Sequence, residues 1–253
     1  AHATAESGPS RYARCERGQT VLVADVGPPP ALELSGEAHA GALSFEVSVG
    51  AQLLFVNGGA PGLPDLDWRA ASRSTASHST LVLDEKSSSL LLRHAALEEF
   101  AGAPPIRGPD AVSVALAKDQ GTLTIDAVHD GYLQRYGLLH ARKLTLSADG
   151  RRIDGLDRLH PPKGALRLKR DLPFAIHFHL HPDVRCTSAE PQSATIVLAN
   201  DAVWTFTVSG FRLSVEESIF FADSVGPRQT LQLVLRGTTP GETEVQWRVQ
   251  AAS

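Results

Sequence analysis

The sequence predicts an all-β protein, a single large and curved antiparallel β-sandwich with one short helix at most. Three observations predict it. Apolar and polar residues alternate at period two through most of the chain, turn residues interrupt that alternation at short intervals, and helical windows are almost absent. In Leu43 to Val49 (LSFEVSV), Leu43, Phe45, Val47 and Val49 fall on one face, and Ser44, Glu46 and Ser48 on the other. Comparable runs follow at 21–25, 53–56, 80–84, 112–116, 122–128 and 138–146, then at 174–180, 195–198, 203–208, 211–215, 230–235 and 244–249. Asn57-Gly58-Gly59, Ala148-Asp149-Gly150 and Thr239-Pro240-Gly241 supply turns between them. Their spacing predicts roughly 14 to 16 strands. Leu90 to Phe100 (LLLRHAALEEF) is the helical candidate, and Gly102 to Pro109 (GAPPIRGP) reads as a long loop. Crossover helices for a parallel sheet are missing, and no repeat of solenoid or propeller period is present.

Composition narrows the function classes. The 253 residues are 42% hydrophobic and 21% charged, which suits a globular chain and not a disordered one. They read as one domain, 1–253. The formal charge is −4, with both signs interspersed, so the basic stripe of a nucleic-acid binder is absent. No apolar run approaches the roughly 20 residues that span a bilayer. Cys15 and Cys186 lie far apart and read as two unreactive thiols, which leaves the compartment undetermined. With no methionine at all, the sequence is expected to be a processed or excised piece.

Four groups of residues can carry chemistry. His39, in Ala38-His39-Ala40-Gly41, stands just before a strand, where its ring can project from a sheet end or bond the backbone. The segment Trp68 to Leu81 (WRAASRSTASHSTL) collects Arg69, Arg73 and His78 among small hydroxyl residues. An arginine and a histidine on such a loop can bind an anion, because a guanidinium matches a carboxylate in bidentate fashion. The same loop can equally be a solvated run of local turns. In Phe174 to Pro182 (FAIHFHLHP), Phe174, Ile176, Phe178 and Leu180 share one strand face and His177, His179 and His181 share the other. Imidazoles at i and i+2 can chelate zinc or line a groove for an anionic substrate, although no CxxC or HExxH accompanies them. A polar outer face is the plain alternative. Lastly, His129-Asp130-Gly131-Tyr132 and His140-Ala141-Arg142 can do acid–base work, but an Asp-Gly turn with Tyr132 packed at a sheet edge is the simpler account. No nucleophile elbow, P-loop or dinucleotide fingerprint occurs.

Taken in order, His39, LSFEVS, LLFVNGG, RSTASHSTLVLD, HDGY, HARKL, DGLDRL and FHLHPDV resemble the C-terminal domain of heparinase II/III-like proteins, and most of all their alphaproteobacterial branch. The resemblance runs from about Tyr12 to near the C-terminus. It implies a supersandwich that follows a helical toroid, with the active site in the cleft between them. The missing methionine is then expected from a cut at that junction, leaving the toroid absent. The resemblance also implies polysaccharide lyase chemistry on uronate-containing glycans. In β-elimination a cation or polar group neutralises the uronate carboxylate, a base removes the C5 proton, and an acid protonates the leaving oxygen. The family's catalytic tyrosine and its Asn or His partner belong to the toroid, so the sandwich supplies one wall.

Residue by residue, the resemblance places His39 at the second position of a His-x-His-x-Asp pattern, Glu37 at the first and catalytic one, and Gly41 at the Asp. His39, Glu37 and His78 are then the catalytic candidates. Arg73, Arg69, Trp68, His177 and His179 are the substrate-binding candidates. The family's structural metal ligands fall on His39, Asn57 and His78. A neutral amide at Asn57 is a poor zinc ligand, so structural zinc is disfavoured and no cofactor is required. The implied partners are an acidic polysaccharide and the toroid, with neither nucleic acid nor a membrane span; the implied compartment is the periplasm. The departures at Glu37, Gly41 and Asn57 motivate a second reading, a non-catalytic glycan-binding or structural domain in envelope polysaccharide metabolism. A third is a zinc-dependent module using His177, His179 and His181.

Overall fold

A computed structural model describes residues 5–7, 11–62, 66–92, 104–165 and 171–252 and shows two large antiparallel sheets packed face to face. Strands are numbered along the chain. The first sheet runs β1 (Ala5–Ser7), β2 (Tyr12–Arg17), β3 (Thr20–Asp25), β4 (Phe45–Val49), β5 (Gln52–Val56), β13 (Leu172–Leu180), β18 (Arg228–Thr239) and β17 (Arg212–Phe220), with β6 (Leu81–Leu83) also paired to β13. The second runs β14 (Arg185–Glu190), β15 (Ser193–Val197), β16 (Val203–Val208), β19 (Thr243–Ala251), β12 (Arg152–His160), β11 (Leu139–Leu146), β10 (Thr122–His129) and β9 (Val112–Asp119). A small pair joins β7 (Leu90–Leu91) to β8 (Pro105–Arg107).

The described residues hold 19 strands, more than the turn spacing predicts. The expected helical window is described only at its start. Leu90 and Leu91 are in β7, and residues 93–100 of that candidate helix lie outside the described residues. Pro105–Arg107 of the expected loop is β8, while 102–103 lie outside them too. Among the described residues the α-helices are α1 (Leu66–Arg73) and the one-turn α2 (Leu133–Tyr136). No helix among the described residues is long and apolar enough to cross a membrane.

The alternating strands bury their apolar faces between the sheets. Phe45, Phe55 and Phe178 come from the first sheet, Phe206 and Trp247 from the second. Phe45 stacks on Trp247 at 5.5 Å, and Phe178 meets Phe206 and Trp247 at 4.8 Å each. Such pairs add about 0.5–1.5 kcal/mol each beyond the area they bury. The Trp247 ring lies over Gly155, its partner on β12, where a Cβ would fall 2.0 Å from Cε2, so no larger residue fits at this position.

The core also holds charge. Asp157, facing inward from β12, is 1% exposed. Its Oδ1 accepts from Arg142 Nε at 2.7 Å and from His140 Nε2 at 2.8 Å, and its Oδ2 accepts from Trp247 Nε1 at 2.9 Å. The chain of donors continues outward and fixes each tautomer. Gly131 N–H donates to His129 Nδ1 at 3.0 Å, so His129 carries its proton on Nε2 and donates it to His140 Nδ1 at 3.1 Å. His140 therefore donates from Nε2 to the carboxylate. The Arg142 guanidinium also lies 5.3 Å from the centre of the Phe45 ring. The simpler expectation for this stretch, a turn with Tyr132 at a sheet edge, misses this network. Tyr132 itself is buried, and its hydroxyl donates to Leu81 O of β6 at 2.9 Å.

Removing one partner of a buried ion pair strands the other charge. Asp157→Ala is expected to cost about 3–5 kcal/mol in urea unfolding. A loss below about 1 kcal/mol would show that the Arg142 charge is compensated some other way.

Candidate functional site

The site follows from a break in the first sheet. β13 pairs with β18 along one edge, but its other edge is shared, with β5 opposite its C-terminal end and β6 opposite its N-terminal half. The chain between β5 and β6 leaves the sheet, forms α1 and a 3-10 turn (Thr75–Ser77), and returns. Side chains bridge the gap this leaves in the ladder. The His179 N–H donates to the Ser79 hydroxyl at 2.9 Å, and that hydroxyl donates to Val56 O at 2.8 Å. The Asn57 Oδ1 accepts from the Ser79 N–H at 2.9 Å, while the Gly58 N–H donates to Ser77 O.

This excursion brings His78 against His39, which precedes β4. The rings meet edge to face, with His39 Nδ1 3.2 Å from His78 Nε2. His78 Nδ1 lies 2.8 Å from Ser74 O, a carbonyl that only accepts, so that nitrogen carries the proton. Its Nε2 must then accept, the His39 Nδ1 must donate, and His39 Nε2 is left as the bare nitrogen of the pair. Gly41 packs directly on His78: a Cβ there would sit 2.8 Å from the ring Cδ2. The departure from the expected Asp at Gly41 thus has a steric reason. Both rings line a cavity of about 620 Å³, together with Arg11, Tyr12, Asp25 and Glu37.

The remaining candidates divide between this cavity and the interior. Glu37 lines the cavity as an exposed carboxylate held by Arg69 at 2.5 Å, with Arg73 3.9 Å away. Arg69 is therefore occupied by Glu37, and Trp68 tilts against Phe221 at 5.6 Å. Arg73, expected to bind an anion, is instead 1% exposed and bonded to Gly36 O. The Trp68 to Leu81 stretch is a helix and a 3-10 turn, and the turn of Arg73 into the interior follows from that helix.

His177 and His179 do share a face of β13, but it is not a solvated face. His179 bonds Ala76 O of the excursion at 2.9 Å and Ser218 Oγ of β17 at 2.8 Å, and His177 bonds Gln232 Oε1 of the neighbouring β18 at 2.9 Å. They stack on each other inside the fold and form no substrate groove. His181 is set apart, half-buried, against Phe220 and 3.6 Å from Asp183. The three histidines therefore form no chelating set, and no group of three metal-ligating side chains occurs among the described residues. The His39, Asn57 and His78 set does not fit zinc either. Two imidazole nitrogens converge, but the Asn57 oxygen is spent on the Ser79 N–H. The cavity residues that the sequence reading missed are Arg11, Tyr12 and Asp25. They sit at strand ends with no motif around them, and the pairing of Tyr12 with Asp25 across β2 and β3, extended by the Val26 N–H donating to Arg11 O, brings them together.

The family described as Heparinase II/III-like, C-terminal matches residues 3–248. The chain belongs to that family. It is thus a polysaccharide-lyase-related sandwich. A heparan sulfate lyase HepC mutant from Pedobacter heparinus is similar in fold, with a TM-score of 0.74 at 13% identity over 99% of this chain and 36% of that one. A heparinase III structure gives 0.69 at 11% identity over 95% of this chain and 35% of that one. FtsZ-localized protein C from Caulobacter vibrioides (strain NA1000 / CB15N) is 29% identical over 250 residues, which is 96% of this chain and 42% of that protein. The heparinase-like domain thus spans less than half the length of each of these relatives.

Electrostatics defines what the site can do. Burial pushes His39 down to about 3, helped by His78, Arg73 and Arg69, and pushes His78 down to about 4. Both are neutral at physiological pH, so they can form hydrogen bonds in the cavity but bring no positive charge to it; Arg11 is a cationic side chain on its wall. Asp25 moves the other way, raised by burial to about 6 despite the Gly27 N–H and Arg11.

The same physics governs stability. His39, His78, His129, His140, His177, His179 and His181 are all held below the ordinary histidine value, in each case mainly by burial. Below pH of about 6.5 the unfolded chain takes up protons that the folded chain refuses, so stability falls as pH falls. Asp25 opposes this, since its raised value favours the fold below about 6. One carboxyl stands against seven imidazoles. The melting temperature is expected to drop by several degrees between pH 7 and pH 5. A profile flat across that window would show that these histidines are not buried as described.

Proposed function

We propose that this domain forms one wall of a site for uronate-containing acidic glycans, in a parent protein that cleaves them by β-elimination. The observation that carries the reading is the His39–His78 pair on the wall of a cavity large enough for sugar residues, at the positions where the resemblance puts the sandwich's contribution. Arg11 offsets the uronate carboxylate, which lowers the barrier to loss of the C5 proton. The bare His39 Nε2 accepts a hydrogen bond from a sugar hydroxyl and orients the ring. Acid and base groups come from the helical domain of the parent, which makes the isolated chain a binder and not a catalyst.

A second reading has its own support. Glu37 stands where lyases of the family carry a catalytic histidine, and it is locked to Arg69. The Caulobacter relative is, by its name, localised with FtsZ. On this reading the domain recognises glycan without cleaving it, as part of an envelope-polysaccharide system at the division site.

One experiment separates these readings. The parent protein is incubated with a panel of acidic glycans while unsaturated uronate is followed by ultraviolet absorbance and binding is measured in parallel. Product is expected, with His39→Ala lowering the rate by about tenfold or more. An unchanged rate in that variant removes His39 from the site. Binding without product selects the second reading, and neither binding nor product removes both.

A further inference from the structure

Arg142 lies in the core and touches no part of the cavity, yet its hydrogen bonds end on both segments that carry the histidine pair. Its Nη1 donates to Leu43 O at 2.9 Å and to Ser79 O at 2.7 Å. Ser79 directly follows His78. Leu43 closes the turn that leads from His39 into β4, in which the Ser44 N–H donates to Gly41 O. One nitrogen thus ties both carbonyls, and it does so beside the direct bonds between the segments, from Thr80 Oγ1 to Ala42 O, Thr75 Oγ1 to Ala40 O and the Ala40 N–H to Arg73 O.

The remaining bonds leave the two segments little freedom. Leu43 has a φ of 58°, a left-handed conformation that costs a leucine roughly 1–2 kcal/mol. Its N–H donates to Asp25 O and its carbonyl accepts from the Arg142 guanidinium, so Arg142 helps hold a conformation the residue would otherwise leave. At Ser79 the N–H goes to Asn57, the hydroxyl to Val56 and the carbonyl to Arg142. Gly41 transmits the position of the turn to the His78 ring by direct contact. The guanidinium cannot shift, because Asp157 holds its Nε, and Asp157 is held in turn by His140 and Trp247.

We propose that Arg142 is a positioning residue for the His39–His78 pair, acting across the sandwich through the carbonyls of Leu43 and Ser79. Its value to function rests on the reading that this pair belongs to the glycan site. A lysine is not an equivalent, since one ammonium cannot present the planar fork that meets a carboxylate and two carbonyls together.

The test compares Arg142→Lys and Arg142→Met with Leu144→Ala, a core truncation on the same face of β11. All are examined as the full 253-residue chain, well below their melting temperatures, by NMR of the histidine ring nitrogens. The wild type is expected to show His39 and His78 each protonated on Nδ1. Both Arg142 variants should lose that fixed tautomer signature, while Leu144→Ala keeps it despite its lower stability. Binding of a uronate oligosaccharide should weaken by about tenfold or more in the Arg142 variants alone. Wild-type ring signals in a folded Arg142 variant would overturn the proposal and leave Arg142 a purely structural residue. If Arg142→Met does not fold, Arg142→Lys decides by the same signals. If the wild type binds no uronate glycan, the glycan reading falls, and the ring nitrogens still decide the positioning role.

Discussion

A carboxylate buried between two sheets has to be answered, and the answer given to Asp157 organises this domain. Moving a lone carboxylate out of water costs many kcal/mol, so such a group ionises in a core only where cation and donors are already in place. Burial pushes the Asp157 carboxyl up, but Arg142 and the His140 N–H outweigh it and hold it well below the usual carboxylate range. Its charge in turn decides the direction of every proton in the line from Gly131 through His129 and His140. The network is directional as well as strong, and each member has one role only. That rigidity makes Arg142 useful as a fixed point for the chain on the opposite sheet.

The break in the first sheet is what gives that fixed point something to hold. Had β5 continued along β13 to the position of β6, the edge would be a plain ladder with no room for α1 or His78. Sharing the edge instead lets the segment that carries α1 and the 3-10 turn leave the sheet, with Ala76 O placed against His179 of β13. The cost is a set of backbone groups without ladder partners. Ser79 and Asn57 meet it, since each places a short polar side chain where a neighbouring strand would have offered an N–H or a carbonyl. The excursion also meets His179 through Ala76 O, while side chains of β17 and β18 meet His179 and His177, and burial keeps both neutral. One topological choice therefore builds the cavity wall and helps take His179, one of the sequence's most suggestive residues, out of the chemistry.

This explains what could be read from the sequence. Alternation identifies β13 and its core face, with Phe174, Ile176, Phe178 and Leu180 all buried. It says which residues share the other face, but not what covers that face, and so the histidines were open to reading as a groove. β12 escapes the alternation rule for a different reason. Its inward residues are Ile153, Gly155, Asp157 and Leu159, and the middle two break the apolar period. Gly155 is there because Trp247 fills its space, and Asp157 because of Arg142. The strand hardest to recognise is thus the one that carries the central charge. α1 escaped because LDWRAASR offers too few apolar residues for a helical stripe, and the hydroxyl residues that follow it, from Ser74 to Thr80, make the whole stretch read as a loop. His39, Glu37 and His78 do come together, since the order of segments along the chain was informative even where local pattern was not.

The departures from the family pattern are better understood from which positions the frame constrains. Glu37 is 78% exposed in its side chain and tied to Arg69, itself a partly exposed residue. The buried group it approaches is the Arg73 guanidinium, at 3.9 Å, which a carboxylate suits better than an imidazole, and the Asp157 network makes no bond to it. His78 is in the opposite situation. Its ring is bonded at both nitrogens, packed against Gly41, and followed by a residue that the buried guanidinium holds. A change at His78 would have to be absorbed by the turn before β4, by the bridge across the sheet gap and by Arg142 together. The frame therefore protects the pair while leaving the rim of the cavity free to vary. A domain built this way can change the residue at position 37 and still present the same two neutral imidazoles to the cavity.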